Sequence, residues 1–163
     1  MNDSAERENL EADRVIVGVD GSASSVAALR YAARMAAAFD APIEAISTWA
    51  FPRLAGPYVV AQWSPEEDAR AVLNAAVEQA FGSEPPAGLV CTVLPGPPAR
   101  TLVELSRGAG MLVLGSRGLG GFRGLLLGSV SSACAAHAHC PVLIVHGDGL
   151  GGEDAPAGES EPA

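Results

Sequence analysis

Five short apolar runs, each leading through turn residues toward the next stretch of chain, limit what this sequence can fold into more than any other feature. They are Val15-Ile16-Val17-Gly18-Val19, Ile43 to Trp49, Leu89 to Leu94, Met111-Leu112-Val113-Leu114 and Val142-Leu143-Ile144-Val145. Runs this short, apolar at successive positions and rich in β-branched residues, read as strands buried on both faces. Helical patterns fill the gaps. Ser22, Ser24 or Ser25 can cap a first helix, in which Val26, Leu29, Ala33 and Ala36/Ala37 recur at helical spacing up to Phe39 before Asp40-Ala41-Pro42 breaks it. Ser64-Pro65-Glu66-Glu67 has the form of a capping box, and Ala69, Val72, Leu73, Ala76 and Ala80 mark the inward face of the helix it opens. A short helix is expected over Thr101 to Arg107, with Gly108 as its stop, and a fourth from about Ser129 to His139, which Pro141 cannot continue. Strands alternating with helices predict an α/β domain: one open five-stranded parallel sheet with right-handed crossovers and helices on both faces. Such sheets take ligands beyond the carboxyl ends of their strands, where the winding reverses. Asp20 and Gly115 stand at the ends of strands one and four.

The stretch Leu114 to Ser129 runs from a strand into glycines and then into a helix start. Glycines allow close approach of backbone to ligand, and the free N–H groups of a turn and a helix N-terminus favour an anion. Phosphate cradling is the chemistry implied. Arg117 and Arg123 lie in the loop, and Ser129 brings a hydroxyl near the helix N-cap position. The chain contains no lysine, so a Walker-type loop is excluded, and the glycine spacing does not give the dinucleotide fingerprint.

At 163 residues the chain is one domain's worth. Its net charge of −9 at pH 7 is carried by the ends: residues 1–14 hold five acids and two arginines, residues 148–163 five acids and no base. Between them, residues 15–147 hold nine acids and eight arginines, nearly neutral and without a basic stripe, so no nucleic-acid partner is expected. No apolar run approaches the roughly 20 residues of a membrane helix, so no membrane role is expected either. Three cysteines and a polar, acidic start set the expectation of reduced thiols in a cytoplasmic protein. Residues 1–13 read as a disordered arm, 14–147 as the folded domain and 148–163 as an acidic disordered tail.

Gly115-x-x-Gly118, nine residues, then Gly128-Ser129 resembles the nucleotide-binding motif of universal stress proteins. Val17-Gly18-Val19-Asp20-Gly21-Ser22 and Cys140-Pro141-Val142-Leu143-Ile144-Val145 are similar to that family as well, and the resemblance covers about residues 13–147. It implies a Rossmann-like sheet of strand order 3-2-1-4-5, with Asp20 beside the glycine loop. It also implies ATP as ligand, with Gly115, Ser116, Arg117, Gly118, Gly128, Ser129 and Val130 around the phosphates and Asp20 near the ribose or a Mg ion. Gly110 stands where the family usually carries an aspartate just before strand four. In the family order strand five is a sheet edge, and an apolar edge needs covering, so a homodimer through the last strand is expected.

Blander alternatives stand beside these readings. The loop can be a tight connection that binds nothing, and Asp20 can cap the first helix together with Ser22. Cys134, His137, His139 and Cys140 suggest a metal cluster by type, but their order fans around a helix axis. Trp49, Phe51, Tyr58 and Trp63 can cover a base or pack over an exposed sheet end. Three functions follow: an ATP-binding stress-response module read by an unidentified protein partner, a slow ATP-hydrolysing or nucleotidyl-transferring enzyme, or a structural dimer without nucleotide. No catalytic residue is assigned, because Asp20 is the one strong candidate for a general base and no histidine falls near the loop.

Overall fold

A computed structural model describes residues 13–51, 63–120 and 126–147. Its elements are β1 (Val15–Gly18), α1 (Ala23–Phe39), β2 (Ile43–Trp49), α2 (Pro65–Phe81), β3 (Val90–Pro95), α3 (Pro98–Leu105), a 3₁₀ turn (Ser106–Gly108), β4 (Met111–Gly115), α4 (Ser129–His137) and β5 (Val142–Val145). The five strands form one sheet in the order β3-β2-β1-β4-β5, with every pairing parallel. The expected fold class and strand order are both found. Residues 1–12 of the predicted arm, the acidic tail (148–163), Tyr58 and Arg123 lie outside the described residues.

Successive strand residues serve opposite faces, so the sheet carries two cores. Val15, Val17, Ala45 and Val113 pack under α1 and α2, while Ile16, Ile46, Leu112 and Leu114 pack under α3 and α4 with Leu102 and Cys134. Burying a side chain such as Ile16 or Leu112 contributes roughly 1.5–3 kcal/mol. These central strands lack the polar alternation of a half-exposed sheet because both of their faces are covered. At the edge, Val90 of β3 is 54% exposed.

The helix signals operate with adjustments. Ser22 is the N-cap of α1 and its Oγ accepts from Ser25 N at 3.2 Å. Ser64 Oγ accepts from Glu67 N at 3.3 Å, the forward half of the box, and Pro65 opens α2. The inward stripe of α1 is wider than its spacing implied: Ala27, Ala28 and Ala32 are buried, Ala33 is half-buried and Ala37 is exposed. α3 begins at Pro98, three residues before the expected start, because proline at the first helical position has its φ preset and loses no hydrogen bond. α4 stops at His137 rather than His139. On the α1–α2 side, Arg30 donates from Nε to Ala80 O at 3.1 Å and from Nη2 to Gln79 O at 2.9 Å, capping the last turn of α2. Gly110 has a local reason to be glycine, since a Cβ there would lie 2.7 Å from Asp13 O.

Candidate functional site

The winding reverses between β1 and β4, and the chain leaving each strand meets the other. After β1, Gly21 turns the backbone at φ +84°, a conformation that favours glycine. This turn sets Asp20 at the rim: its Oδ1 accepts from Ser22 N at 3.0 Å and Ser22 Oγ at 2.6 Å, and its Oδ2 accepts from Leu119 N at 3.2 Å. Asp20 and the glycine loop, 99 residues apart in sequence, are therefore joined.

The loop after β4 is held from behind by hydroxyls. Ser24 Oγ donates to Arg117 O at 2.5 Å and Ser131 Oγ donates to Gly115 O at 2.6 Å. Ser116 N donates to Val145 O and Ser116 O accepts from Gly128 N, each at 2.7 Å, which closes the loop onto β5 and the start of α4. Ser116 is 2% exposed, and both of its backbone groups are engaged. It helps hold the loop in place and is not among the residues lining the cleft.

The glycines differ in what requires them, and none of Gly115, Gly118 and Gly128 has a positive φ. At Gly115 a Cβ would strike the Ser24–Ser25 backbone, so glycine lets the start of α1 reach β4. At Gly118 it would stand 2.5 Å from Asp20 Oδ2. At Gly128 the nearest atom would be Arg117 Cα at 3.4 Å, an ordinary contact, so the described residues leave room for a Cβ there.

Gly128 is also the N-cap of α4, without a side-chain cap bond. Ser129 is the first helical residue, not the cap, and it is exposed. The leading N–H groups of α4 lack intrahelical partners and carry the positive end of the helix dipole, about +0.5 of a charge. They open onto a cleft of about 640 Å³ lined on this side by Asp20, Arg117, Gly118, Gly128, Ser129 and Val130. The rest of its lining is mixed, with apolar Ile46, Trp49, Val72, Pro98 and Leu102 beside polar Ser47 and Thr48. A cleft of this size with apolar lining and a few polar groups suits a small organic anion.

The apolar part of this lining was not foreseen. Val72, expected inward, is 38% exposed because it sits at the cleft edge, near enough that a Cβ on Gly21 would come within 2.9 Å of its Cγ1. A helical period marks which side of α2 is apolar, but not where a neighbouring strand ends and leaves that side open. Of the aromatic residues, Trp49 lines the cleft and meets Phe51 edge-to-face with ring centroids 5.5 Å apart, while Trp63 Nε1 donates to Asp68 Oδ2 at 2.6 Å. The Cys134, His137, His139 and Cys140 set does not converge: among the described residues no three metal-binding side chains meet. Cys134 is fully buried, and burial, reinforced by the Cys140 charge, pushes its thiol up to about 11. Burial also raises the Cys140 thiol.

Strand order, crossovers and a cleft at the reversal define a doubly wound, Rossmann-like α/β protein with a cleft at the switch point, where such sheets take ligands. The model of the universal stress protein family matches residues 11–146, and the chain belongs to that family. A universal stress protein of Mycolicibacterium smegmatis is 37% identical over 151 residues, covering 86% of this chain and 50% of its own length. The universal stress protein Rv2005c of Mycobacterium tuberculosis is 36% identical over 143 residues, covering 82% of this chain and 48% of its own. The chain thus spans about half the length of these curated relatives. A solved universal stress protein in complex with cAMP is 32% identical, with a TM-score of 0.61 and coverage of 82% of this chain and 96% of that one. No helix among the described residues is long and apolar enough to cross a membrane.

Proposed function

We propose that the cleft binds ATP with Mg²⁺ and that the chain works as a nucleotide-dependent stress-response module, read by a protein partner in the cytoplasm, and not as an enzyme. The observation that carries this is Gly128: a glycine with room for a Cβ among the described residues, at the uncapped start of a helix whose N–H groups open onto the cleft. A side chain there would project where phosphate oxygens would seat. On this reading Gly115 shapes the loop, and Arg117, Gly118, Gly128, Ser129 and Val130 face the phosphates, with Ser116 holding the loop from behind. The wall of Ile46, Trp49, Val72 and Leu102 takes the base.

Among the described residues Asp20 is the one carboxylate lining the cleft. A single carboxylate beside a phosphate site fits Mg²⁺, which is commonly held by one or two carboxylates together with substrate phosphates. When bound, the ion would neutralise phosphate charge. The relative complexed with cAMP supports the adenine-nucleotide class, and it makes a monophosphate the natural comparison ligand.

Calorimetric titration of ATP with magnesium, and of cAMP, into the wild type and Gly128→Val tests the reading, with circular dichroism to confirm folding. Saturable binding is expected, reduced at least ~tenfold in the variant, equivalent to about 1.4 kcal/mol. Absence of binding by any adenine nucleotide, or equal affinities in the two folded proteins, would refute it.

A further inference from the structure

We infer that the acidic stretch after β5 competes with phosphate for the glycine loop, with Glu153 and Asp154 as the competing anions. This rests on the phosphate reading of the loop and concerns how that site is regulated. All five strands run parallel, so β5 ends at the same margin of the sheet as β1 and β4, the margin that holds the cleft. It also ends beside the loop itself: Val145 is in register with Gly115, and Val145 O accepts from Ser116 N at 2.7 Å. Two residues on, a Cβ on Gly147 would lie 3.4 Å from Ser24 N, and the Ser24 hydroxyl holds Arg117 O. Ser24 alone therefore stands between Gly147 and the loop backbone.

The stretch that follows combines glycine with acid. Asp148-Gly149-Leu150-Gly151-Gly152 leads to Glu153-Asp154, and no lysine, arginine or histidine occurs from residue 148 to residue 163. Extended chain from Asp148 to Glu153 reaches about 20 Å, and glycine accepts the positive φ that a reversal of direction requires. The receiving groups lie on the same flank. β4 separates β5 from β1 in the sheet, so the chain arrives on the side of Arg117 and α4, whereas Asp20 follows β1 on the other side. Arg117 is exposed at the cleft, and the leading N–H groups of α4 attract a carboxylate as they attract a phosphate.

A tethered carboxylate acts at a local concentration in the millimolar range, so even the weak hold of exposed charged contacts fills the site for part of the time. With the site filled in about two-thirds of molecules, apparent nucleotide affinity falls about threefold, because only the open fraction binds. Displacement and simple repulsion treat ligands differently. A carboxylate that must leave the loop lowers the affinity of every ligand whose phosphate replaces it by the same factor. The general field of the acids acts in proportion to ligand charge and penalises ATP more than cAMP.

Titration of ATP with magnesium, and of cAMP, into the full chain at low ionic strength compares wild type with two double variants. Glu153→Gln/Asp154→Asn removes the competing pair, and Glu159→Gln/Glu161→Gln removes the same charge farther along the chain. The first is expected to bind both ligands about threefold more tightly, and the second to match wild type. No gain in the first variant, an equal gain in both variants, or a smaller gain for cAMP than for ATP would overturn the proposal. Nuclear magnetic resonance without nucleotide gives a second readout: the amide signals of Arg117, Gly118, Ser129, Val130 and Ser131 should shift between wild type and the first variant, and unchanged signals would also overturn it. If the wild type binds neither nucleotide, the proposed function fails, and the amide signals alone decide whether the acids reach the loop.

Discussion

Gly128 and Gly118 look alike in the motif but are expected to respond differently to substitution. At Gly128 a Cβ meets only ordinary contacts, the nearest at 3.4 Å, so Gly128→Val should keep its fold and show its main loss in ligand binding. At Gly118 the same change pushes on Asp20 Oδ2, and its thermal stability should fall as well as its affinity. Differential scanning calorimetry of both variants separates them. Ser129→Ala removes one exposed hydroxyl and should cost less binding than Gly128→Val, on the order of 1 kcal/mol. Ser22→Ala deletes the cap of α1 together with a donor to Asp20, and about 1 kcal/mol of stability should be lost in urea unfolding. Residue types at this rim were legible because a strand followed by glycine or aspartate and then a helix leaves few options. The separate reasons for Gly115, Gly118 and Gly128 were not, because each depends on Ser24, Asp20 or open space contributed by distant parts of the chain.

Elements were read most securely where covalent geometry or composition dictates them. All five strands and the starts of α1 and α2 fall where β-branched runs and capping serines put them. The start of α3 was less legible: it lies at Pro98 and not at Thr101, because a proline pair has the same φ in a turn and at a helix start. The α4–β5 junction supplies a pH prediction. Cys134 has its thiol raised from 9.0 to about 11, burial being the larger cause. The folded protein therefore keeps a proton that the unfolded chain releases above about pH 9. Its contribution to stability is complete below that value and is lost as pH rises toward about 11. Denaturation midpoints measured from pH 8 to 11 should decline, and Cys134→Ala, less stable at neutral pH from the cavity it leaves, should decline less steeply. Thiol titration of the native protein should label exposed Cys91 first and buried Cys134 last.

For the molecule as a whole, β5 is an edge strand made of Val142, Leu143, Ile144 and Val145. A homodimer through this edge is the expected state, and light scattering at micromolar concentration should return twice the monomer mass, unchanged by deletion of residues 148–163. A monomer mass would remove the prediction. Phosphate release from ATP should stay below ~1 s⁻¹, since a phosphate cradle with one carboxylate supplies little of the preorganised chemistry that turnover demands. Arg30 bears on how such a molecule conveys occupancy. By bonding Ala80 O and Gln79 O it ties the middle of α1 to the far end of α2, while α1 begins at the Asp20–Ser24 grip and α2 carries Val72 on the cleft wall. The two helices form a braced frame with a strut at one end and the cleft at the other. On the proposed reading, a push on Val72 at the cleft would therefore load the Arg30 bonds, and α1 and α2 would yield to it together rather than singly.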